Sequence, residues 1–403
     1  MFTSDSHRKA RGSWRARWLP WGVAALGVAC PLALAPAASA AALPQAVATL
    51  TGAAATAPAG TWKLLPAAPV TKPPDNTVGV WTGQQMILRG TRWSTQGMRR
   101  VAFAYGPAAS SWAVLPRGPK PPVSEGQDVA VWTGSQMLVI GPTSAAYTPA
   151  TSTWRPIPYP ALGGPPSNIA AWTGHEAIVW GGTCCGGTTR VGALYNPATD
   201  AWRTIPDAPF QPRAGVEGAW TGTELVLAGG EPRPGTGGAF KNGAAYNPAT
   251  SQWRPIPRMP RRESSAVAVW DGTEVLFLGG WRPGADQPPA AGLAFNPATN
   301  TWRKLPPMAY PRTGFAAVWT GRQLLVWGGL TGPYTAQTLP PHGEAYNPAA
   351  NRWTALPASP LHGRVAATAV WTGRSMIVWG GWAPNGQTTT RFTDGASYTP
   401  RTP

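Results

Sequence analysis

One short motif occurs seven times along this chain of 403 residues. It is an apolar strand that ends in Trp-Thr-Gly or Trp-Asp-Gly, and consecutive copies lie 40 to 52 residues apart. The tryptophans of this motif are Trp81, Trp132, Trp172, Trp220, Trp270, Trp319 and Trp371. A repeat of this period is typical of architectures in which each unit is one small supersecondary structure, so the repeat constrains the fold more than any single residue.

Two further motifs recur with the same period. The second, mostly Tyr-Asn-Pro-Ala-Thr, is anchored by Tyr105, Tyr147, Tyr195, Tyr246, Phe295, Tyr346 and Tyr398. The third is a Trp followed three residues later by Leu or Ile and then by Pro. Its tryptophans are Trp62, Trp112, Trp154, Trp202, Trp253, Trp302 and Trp353.

Together these motifs predict four short strands in each unit. In the sixth unit the strands are expected at residues 314–319, 324–329, 343–346 and 352–356. The Thr-Gly or Asp-Gly between two apolar runs predicts a tight hairpin in which Gly has a positive φ. The first strand is built of small residues that fit near an axis, and the fourth carries Trp and often Arg. This taper suits a radial array of four-stranded blades.

Units of about fifty residues with these motifs and a Gly-Gly pair after the second strand resemble kelch repeats. The pairs begin at Gly181, Gly229, Gly279, Gly328 and Gly380. The resemblance implies that residues 60–403 form one all-β domain, a seven-bladed β-propeller of four-stranded antiparallel blades. In blades one and two, Arg89-Gly90 and Ile140-Gly141-Pro142 replace the pair, so we expect these two blades to be irregular.

The order of the motifs predicts how the ring closes. The motif at Trp62 precedes any first strand, and the last unit stops five residues after Tyr398. Seven complete blades therefore require that residues 61–66 add as an outer strand to the sheet formed by residues 366–399. Such an N-terminal strand would leave no open blade edge.

Residues 1–42 have the features of a secretory signal peptide. A segment with five basic residues and one acidic residue precedes an apolar stretch, and an Ala-x-Ala ending predicts cleavage after Ala40 or Ala42. An uncleaved membrane anchor is the alternative, although Pro20 and Pro31 interrupt the segment. Residues 43–59 are an Ala/Thr/Pro-rich linker. We expect export to the periplasm or the cell exterior, with no membrane span after cleavage.

Charge narrows the class of partner. The chain without residues 1–42 has 28 basic and 15 acidic residues, a net charge of +13. A basic exported protein meets anionic glycans, cell-envelope polymers or protein ligands rather than nucleic acid. Charged residues make up only 12% of the chain and hydrophobic residues 43%, which excludes disorder for most of it. We expect a monomer.

Three tryptophans are required neither by the repeat nor by the leader, namely Trp93, Trp281 and Trp382. All three lie in the loop between the second and third strands, which shares one side of the disc, here called the loop face, with the blade-to-blade connections. Tyr334 lies in the same loop of blade six. The arginines beside these aromatic residues are Arg92, Arg282 and Arg391.

Blades five, six, seven and one are neighbours once the ring closes, so these residues predict a binding site on one arc of the loop face. Aromatic rings stack on sugars, and guanidinium groups bind carboxylate, sulfate or phosphate. The alternative is that the tryptophans pack beneath their own loops.

A second set of candidates lies on the blade-to-blade connections. Arg213, Arg312 and Arg364 each lie seven residues before the repeat tryptophan, where the kelch resemblance implies a structural role. Glu263 holds this position in blade five, and Arg262 precedes it. These arginines are also candidate ligand contacts. With Glu217 and Glu263 as acid and base they would suit a cofactor-independent sugar mutarotase, similar to N-acetylneuraminate epimerase. We rank this enzyme below a non-catalytic binding module.

Cysteine and histidine usage bears on metals and redox chemistry. Cys184 and Cys185 are the only cysteines after residue 42, and we expect a strained disulfide between these neighbours in an oxidising compartment. Free thiols or a redox function are the alternatives. Some kelch-type propellers are copper-radical oxidases, but their ligand set does not match this sequence. We therefore expect no metal and no cofactor.

Overall fold

The computed structural model describes residues 60–94, 97–119, 128–158, 169–181, 183–184, 187–188, 190–233, 238–385 and 388–401. The predicted leader (residues 1–42) and linker (residues 43–59) lie outside these residues, as does Cys185. Every regular element in the described part of the chain is a strand. Accordingly, no helix there is long and apolar enough to cross a membrane.

The strands form seven four-stranded antiparallel sheets, which are the blades of a β-propeller. The inner strands of blades one to seven are Asp75–Trp81, Val129–Trp132, Ile169–Trp172, Ala214–Trp220, Val267–Trp270, Ala316–Trp319 and Thr368–Trp371. The second strands are Met86–Ser94, Met137–Ile140, Ala177–Trp180, Leu225–Glu231, Val275–Leu278, Leu324–Trp327 and Met376–Trp379. The predicted fold class is confirmed.

The remaining strands complete each blade toward its outer edge. The third strands are Gly97–Gly106, Ala145–Thr148, Gly192–Asn196, Gly243–Asn247, Ala291–Asn296, Glu344–Asn347 and Gly395–Pro400. The outer strands are Ser111–Val114, Thr153–Pro156, Ala201–Thr204, Gln252–Ile256, Thr301–Pro307, Arg352–Ala355 and, in blade seven, Gly60–Leu64. Three short two-stranded ribbons extend the loops of blades three, six and seven: Thr183–Cys184 with Gly187–Thr188, Arg312–Thr313 with Leu330–Thr331, and Trp382–Asn385 with Thr388–Arg391.

The two ends of the domain close the ring as the motif order predicts. Gly60–Leu64 pairs antiparallel with Gly395–Pro400, and Trp62 lies opposite Tyr398. The inner strand of blade seven contacts that of blade one. Blade one has a register shift between Asp75 and Val78, as expected. Blade two pairs its four strands without a register shift, so the expectation for that blade was wrong, and blade five, which has the Gly-Gly pair, shows a shift between Ala291 and Leu293.

Glycine is required in the hairpin between each inner strand and the second strand. The seven turn glycines have φ between 88° and 107°. A Cβ atom at these positions would meet no atom within 4 Å, so the positive φ alone selects Gly. They are Gly83, Gly134, Gly174, Gly222, Gly272, Gly321 and Gly373.

The core is divided among the interfaces between neighbouring blades. Seven clusters of buried apolar side chains fill the seven interfaces of the ring. Trp180, Trp327 and Trp379, which precede Gly-Gly pairs, belong to these clusters and are at most 4% exposed. Each blade therefore stabilises both of its neighbours.

The tryptophan of every outer strand also joins its blade to the preceding one through a hydrogen bond. Each indole N–H donates to the carbonyl of the proline that ends the third motif of the preceding blade, at 2.7 to 3.1 Å. The pairs are Trp62–Pro357, Trp112–Pro66, Trp154–Pro116, Trp202–Pro158, Trp253–Pro206, Trp302–Pro257 and Trp353–Pro306. Both the Trp and the Pro of the third motif thus have a structural reason to recur.

Candidate functional site

The three aligned arginines on the blade-to-blade connections are at most 1% exposed. Each Nε donates to the carbonyl two residues earlier, and each Nη1 donates to the first Gly of the Gly-Gly pair and to the chain just before the third strand. These residues are Arg213, Arg312 and Arg364. The resemblance implies that these arginines link neighbouring blades, but the hydrogen bonds described here tie each connection to its own blade.

The charge partners of these arginines differ between blades. Arg312 is paired with the buried Glu344 at 2.6 Å, and Arg364 with Asp394 at 2.6 Å. Arg213 has no ion pair in the described part of the chain and lies between the rings of Phe210 and Phe240, each 4.1 Å from its guanidinium carbon. Its cation–π contacts replace the carboxylate.

In blade five the aligned position holds Glu263, which is fully buried. Its Oε2 accepts a hydrogen bond from Arg261 Nε at 2.7 Å, and its Oε1 has no partner among the described residues. Burial raises the pKa of Glu263 to about 7, although Arg261 and Arg282 oppose the shift. Glu263 therefore changes charge near neutral pH.

The partner of Glu263 is Arg261, whereas Arg262, the predicted ligand contact next to Glu263 in the sequence, lies elsewhere. Arg262 is exposed and donates to the Ala239 carbonyl at 2.7 Å. Residues two apart in an extended chain project to the same side, which places Arg261 with Glu263 and Arg262 on the other side. This alternation was the available sequence signal for Arg261.

Glu217 lies on the inner strand of blade four and is only 2% exposed. Its Oε1 accepts a hydrogen bond from the Ala266 N–H of blade five at 2.9 Å, while its Oε2 has no partner among the described residues. Burial raises the pKa of Glu217 well above its ordinary value, and the neighbouring Glu263 adds to this shift. Through this hydrogen bond the Glu217 side chain links blades four and five.

A cavity of about 440 Å³ lies beside the loop of blade five. Its cationic wall is formed by Arg261, Arg282 and Lys304, and Gln287 and several prolines complete it. Arg261 Nη2 and Arg282 Nε are buried and have no hydrogen-bond partner within the described residues. The cavity thus combines positive charge with unsatisfied donors, which suits an anionic group.

Two of the predicted aromatic residues lie around this loop. Tyr334 extends from blade six, where its N–H donates to the Asp286 carbonyl at 2.6 Å and its hydroxyl to the Gly280 carbonyl at 3.3 Å. Burial raises the pKa of Tyr334 to about 12, so it stays neutral. Trp281 is half-buried, and its backbone exchanges two hydrogen bonds with Ser264. We call Arg261, Glu263, Trp281, Arg282, Lys304 and Tyr334 the blade-five cluster.

The other predicted residues form a second group at blades seven and one. Trp382 is half-buried and exchanges two backbone hydrogen bonds with Val365, as Trp281 does with Ser264. Arg391 forms an ion pair with Asp75 of blade one. Arg92 donates to Thr71 Oγ1 at 3.5 Å. For Trp93 the structure describes only the backbone, which pairs with Met98.

Sequence reasoning missed a buried ion cluster between blades one and two. Asp128 contacts Arg100 at 2.8 Å and Arg89 at 3.4 Å, and all three side chains are at most 4% exposed. Arg100 also donates to Thr91 Oγ1. Arg89 occupies the position before the first Gly, where blades three, six and seven have Trp180, Trp327 and Trp379, and this departure from the repeat was the available signal.

The predicted disulfide stays a prediction. The backbone of Thr183–Cys184 pairs with Gly187–Thr188 in a two-stranded ribbon, but Cys185 lies outside the described residues. Among the residues that the structure describes, no three His, Cys, Asp or Glu side chains come together as a group that could hold a metal ion.

Comparison with known proteins adds information on the fold. No family model matches the chain, and no curated protein matches it. A solved structure described as a novel fungal alcohol oxidase of the AA5 family, in complex with copper, superposes with a TM-score of 0.64. It is 15% identical, and the match covers 85% of this chain and 76% of that one.

The likeness is one of fold. At 15% identity it supports the β-propeller architecture and carries no activity to this chain.

Proposed function

We propose that the protein is an exported binding propeller that holds an anionic group of a glycan or cell-envelope polymer in the cavity of blade five. The observation that carries this proposal is that Arg261 and Arg282 both line the cavity and that each has a buried nitrogen, Nη2 and Nε respectively, with no hydrogen-bond partner among the described residues. A buried donor without a partner costs about 1–3 kcal/mol, and more when the group is charged. An anionic oxygen would supply the missing acceptors.

The composition of the cavity favours a carboxylate or sulfate on a larger ligand. Lys304 adds a third positive charge, and Gln287 can bond a neutral hydroxyl group. Trp281 is not among the residues that line the cavity, but it precedes Arg282 in the sequence and carries a flat ring of the kind that stacks on sugars. Export is part of the proposal and rests on the signal-peptide features of residues 1–42. We also propose a monomer that binds no nucleic acid.

Binding of a galacturonate oligosaccharide, of dextran sulfate and of uncharged dextran tests this proposal. The wild-type protein should bind one or both anionic ligands and not dextran, and binding should weaken as salt rises. Arg261→Gln and Arg282→Gln should each weaken binding about tenfold or more, because a hydrogen bond to a charged group contributes about 1.5–3 kcal/mol.

A matched control separates the cavity from general attraction to a basic protein. Arg322→Gln combined with Arg374→Gln removes two exposed charges from hairpin turns on the opposite side of the disc. This double variant has the same net charge as Arg261→Gln combined with Arg282→Gln. Equal losses in the two double variants would show that net charge rather than the cavity holds the ligand.

A sugar mutarotase is the second candidate. The pKa of Glu263, raised by burial to about 7, favours it because a general acid or base works best near the operating pH. The burial of both Glu217 and Glu263 weighs against direct contact with a substrate. Interconversion of sialic acid anomers that is lost in Glu263→Gln, with anion binding retained, would favour the enzyme.

A further inference from the structure

We propose that Glu263 makes the cavity of blade five a pH-sensitive anion site by competing with the ligand for Arg261. This inference rests on the proposed function. Protonation of Glu263 releases Arg261 to the cavity, and deprotonation holds the guanidinium group toward the protein interior.

The guanidinium group of Arg261 has one acceptor, the Glu263 carboxylate, and a second nitrogen that could donate to a ligand anion. Arg261 Nε donates to Glu263 Oε2 at 2.7 Å, whereas Arg261 Nη2 has no partner in the described part of the chain. The Arg261 side chain is 18% exposed and lines the cavity, while the Glu263 side chain is 0% exposed and lies behind it. A ligand anion and the Glu263 carboxylate would therefore share one cation at short range.

Charged groups face Glu263 from each neighbouring element. Arg282 approaches from the loop of blade five, Tyr334 from the loop of blade six and Glu217 from the inner strand of blade four. Tyr334, whose pKa burial raises to about 12, stays neutral across pH 6 to 8. The pKa of Glu217 is raised well above its ordinary value by burial, and this carboxyl is committed to the Ala266 N–H. The pKa of Glu263, which burial raises to about 7, lies within this range.

Linkage fixes the direction of the effect. A bound anion repels the Glu263 carboxylate and so favours its protonated form, which means that binding above pH 7 takes up a proton. If the anion binds only the protonated form, affinity should fall about tenfold between pH 6 and pH 8.

Sulfate is the probe of choice because it stays a dianion throughout this pH range. Binding of sodium sulfate to the domain is measured by calorimetry at pH 6 and pH 8, at constant ionic strength and in buffers of different ionisation enthalpy. The wild-type protein should bind about tenfold more tightly at pH 6. At pH 8 the buffer dependence should report uptake of up to one proton.

Two variants assign the effect to Glu263. Glu263→Gln, a permanently neutral analogue, should bind at pH 8 as the wild-type protein does at pH 6. The control Glu274→Gln removes a carboxylate of the same blade that pairs with Arg303 near the hairpin turn, and it should keep the wild-type pH dependence.

The outcomes separate this inference from the proposed function. Sulfate binding that is equal at pH 6 and pH 8 without proton uptake would overturn the pH switch and leave the anion site standing. A pH dependence that persists in Glu263→Gln would assign it to another group and also overturn the inference. No sulfate binding at pH 6, with no binding of the anionic glycans, would overturn both. Proton uptake by the wild-type protein is measurable even if Glu263→Gln does not fold.

Discussion

Replacing Trp62 by Phe tests whether the N-terminal strand is a full member of the ring. The change keeps an aromatic ring against Tyr398 and Trp327, whose centroids lie 5.1 and 5.9 Å away. It removes the indole N–H that donates to the Pro357 carbonyl at 3.1 Å. A neutral hydrogen bond of this kind contributes about 1 kcal/mol, so the free energy of unfolding should fall by about that amount.

Trp154→Phe is the matched control inside the ring. Trp154 donates to the Pro116 carbonyl at 2.8 Å and packs on Tyr147 with centroids 5.0 Å apart. If the closing strand unfolds together with the other blades, the two variants should lose equal stability and the double variant about 2 kcal/mol.

Urea unfolding followed by far-ultraviolet circular dichroism measures these losses without relying on the altered tryptophan fluorescence. The midpoint should shift while the slope stays constant. A cost for Trp154→Phe with none for Trp62→Phe would mean that the N-terminal strand detaches before the propeller unfolds. That result would refute the conclusion that closure and stability are coupled.

Two further predictions concern buried charge. Asp128→Ala should lower the free energy of unfolding, measured in urea, by about 3–5 kcal/mol, because Arg89 and Arg100 lose their shared buried counter-charge. The control Asp207→Ala breaks the exposed pair with Arg190 and should lower it by at most about 1 kcal/mol. Equal losses in the two variants would contradict this prediction. Burial raises the pKa of Glu263 from 4.5 to about 7, so this group's stabilisation is greatest at low pH and is lost as pH rises through that window, by about 3 kcal/mol in total. Unfolding midpoints between pH 4.5 and pH 8 should show this loss in the wild-type protein, and the loss should be smaller by about that amount in Glu263→Gln, where Glu217 still contributes.

The repeat made the fold predictable because each blade repeats the same local rules. Apolar alternation, turn glycines and small residues of the inner strands recur at the same positions of every unit. The strands of a unit with a weak pattern can therefore be assigned by comparison with the other units. Closure was predictable because the offset of Trp62 from the first inner strand is a property of motif order. The sequence did not reveal why Trp and Pro recur in the third motif, because the hydrogen bond that links them joins different units. Trp62 and Pro357, for example, are 295 positions apart.

The candidate site was less predictable because it lies where the repeat is broken. Sequence position indicated Glu263, Arg282, Trp281 and Tyr334, but the cavity and the role of Lys304 depend on how the loop of blade five packs. Likewise, the arc predicted from ring order contains two groups of contacts, because Tyr334 extends to blade five and Arg391 pairs with Asp75 of blade one.

The pairing of Gly60–Leu64 with Gly395–Pro400 also sets a temporal order for folding. Lys63 and Ser397 contact each other across 334 positions of sequence, so the first segment of the domain to be synthesised docks only after the last has emerged. Contacts of such long range are slow to form. Until they form, the third strand of blade seven exposes an unpaired edge that could recruit the same segment of another molecule. An incompletely folded propeller is thus most prone to associate with other molecules before its N-terminal strand has paired with blade seven of the same chain.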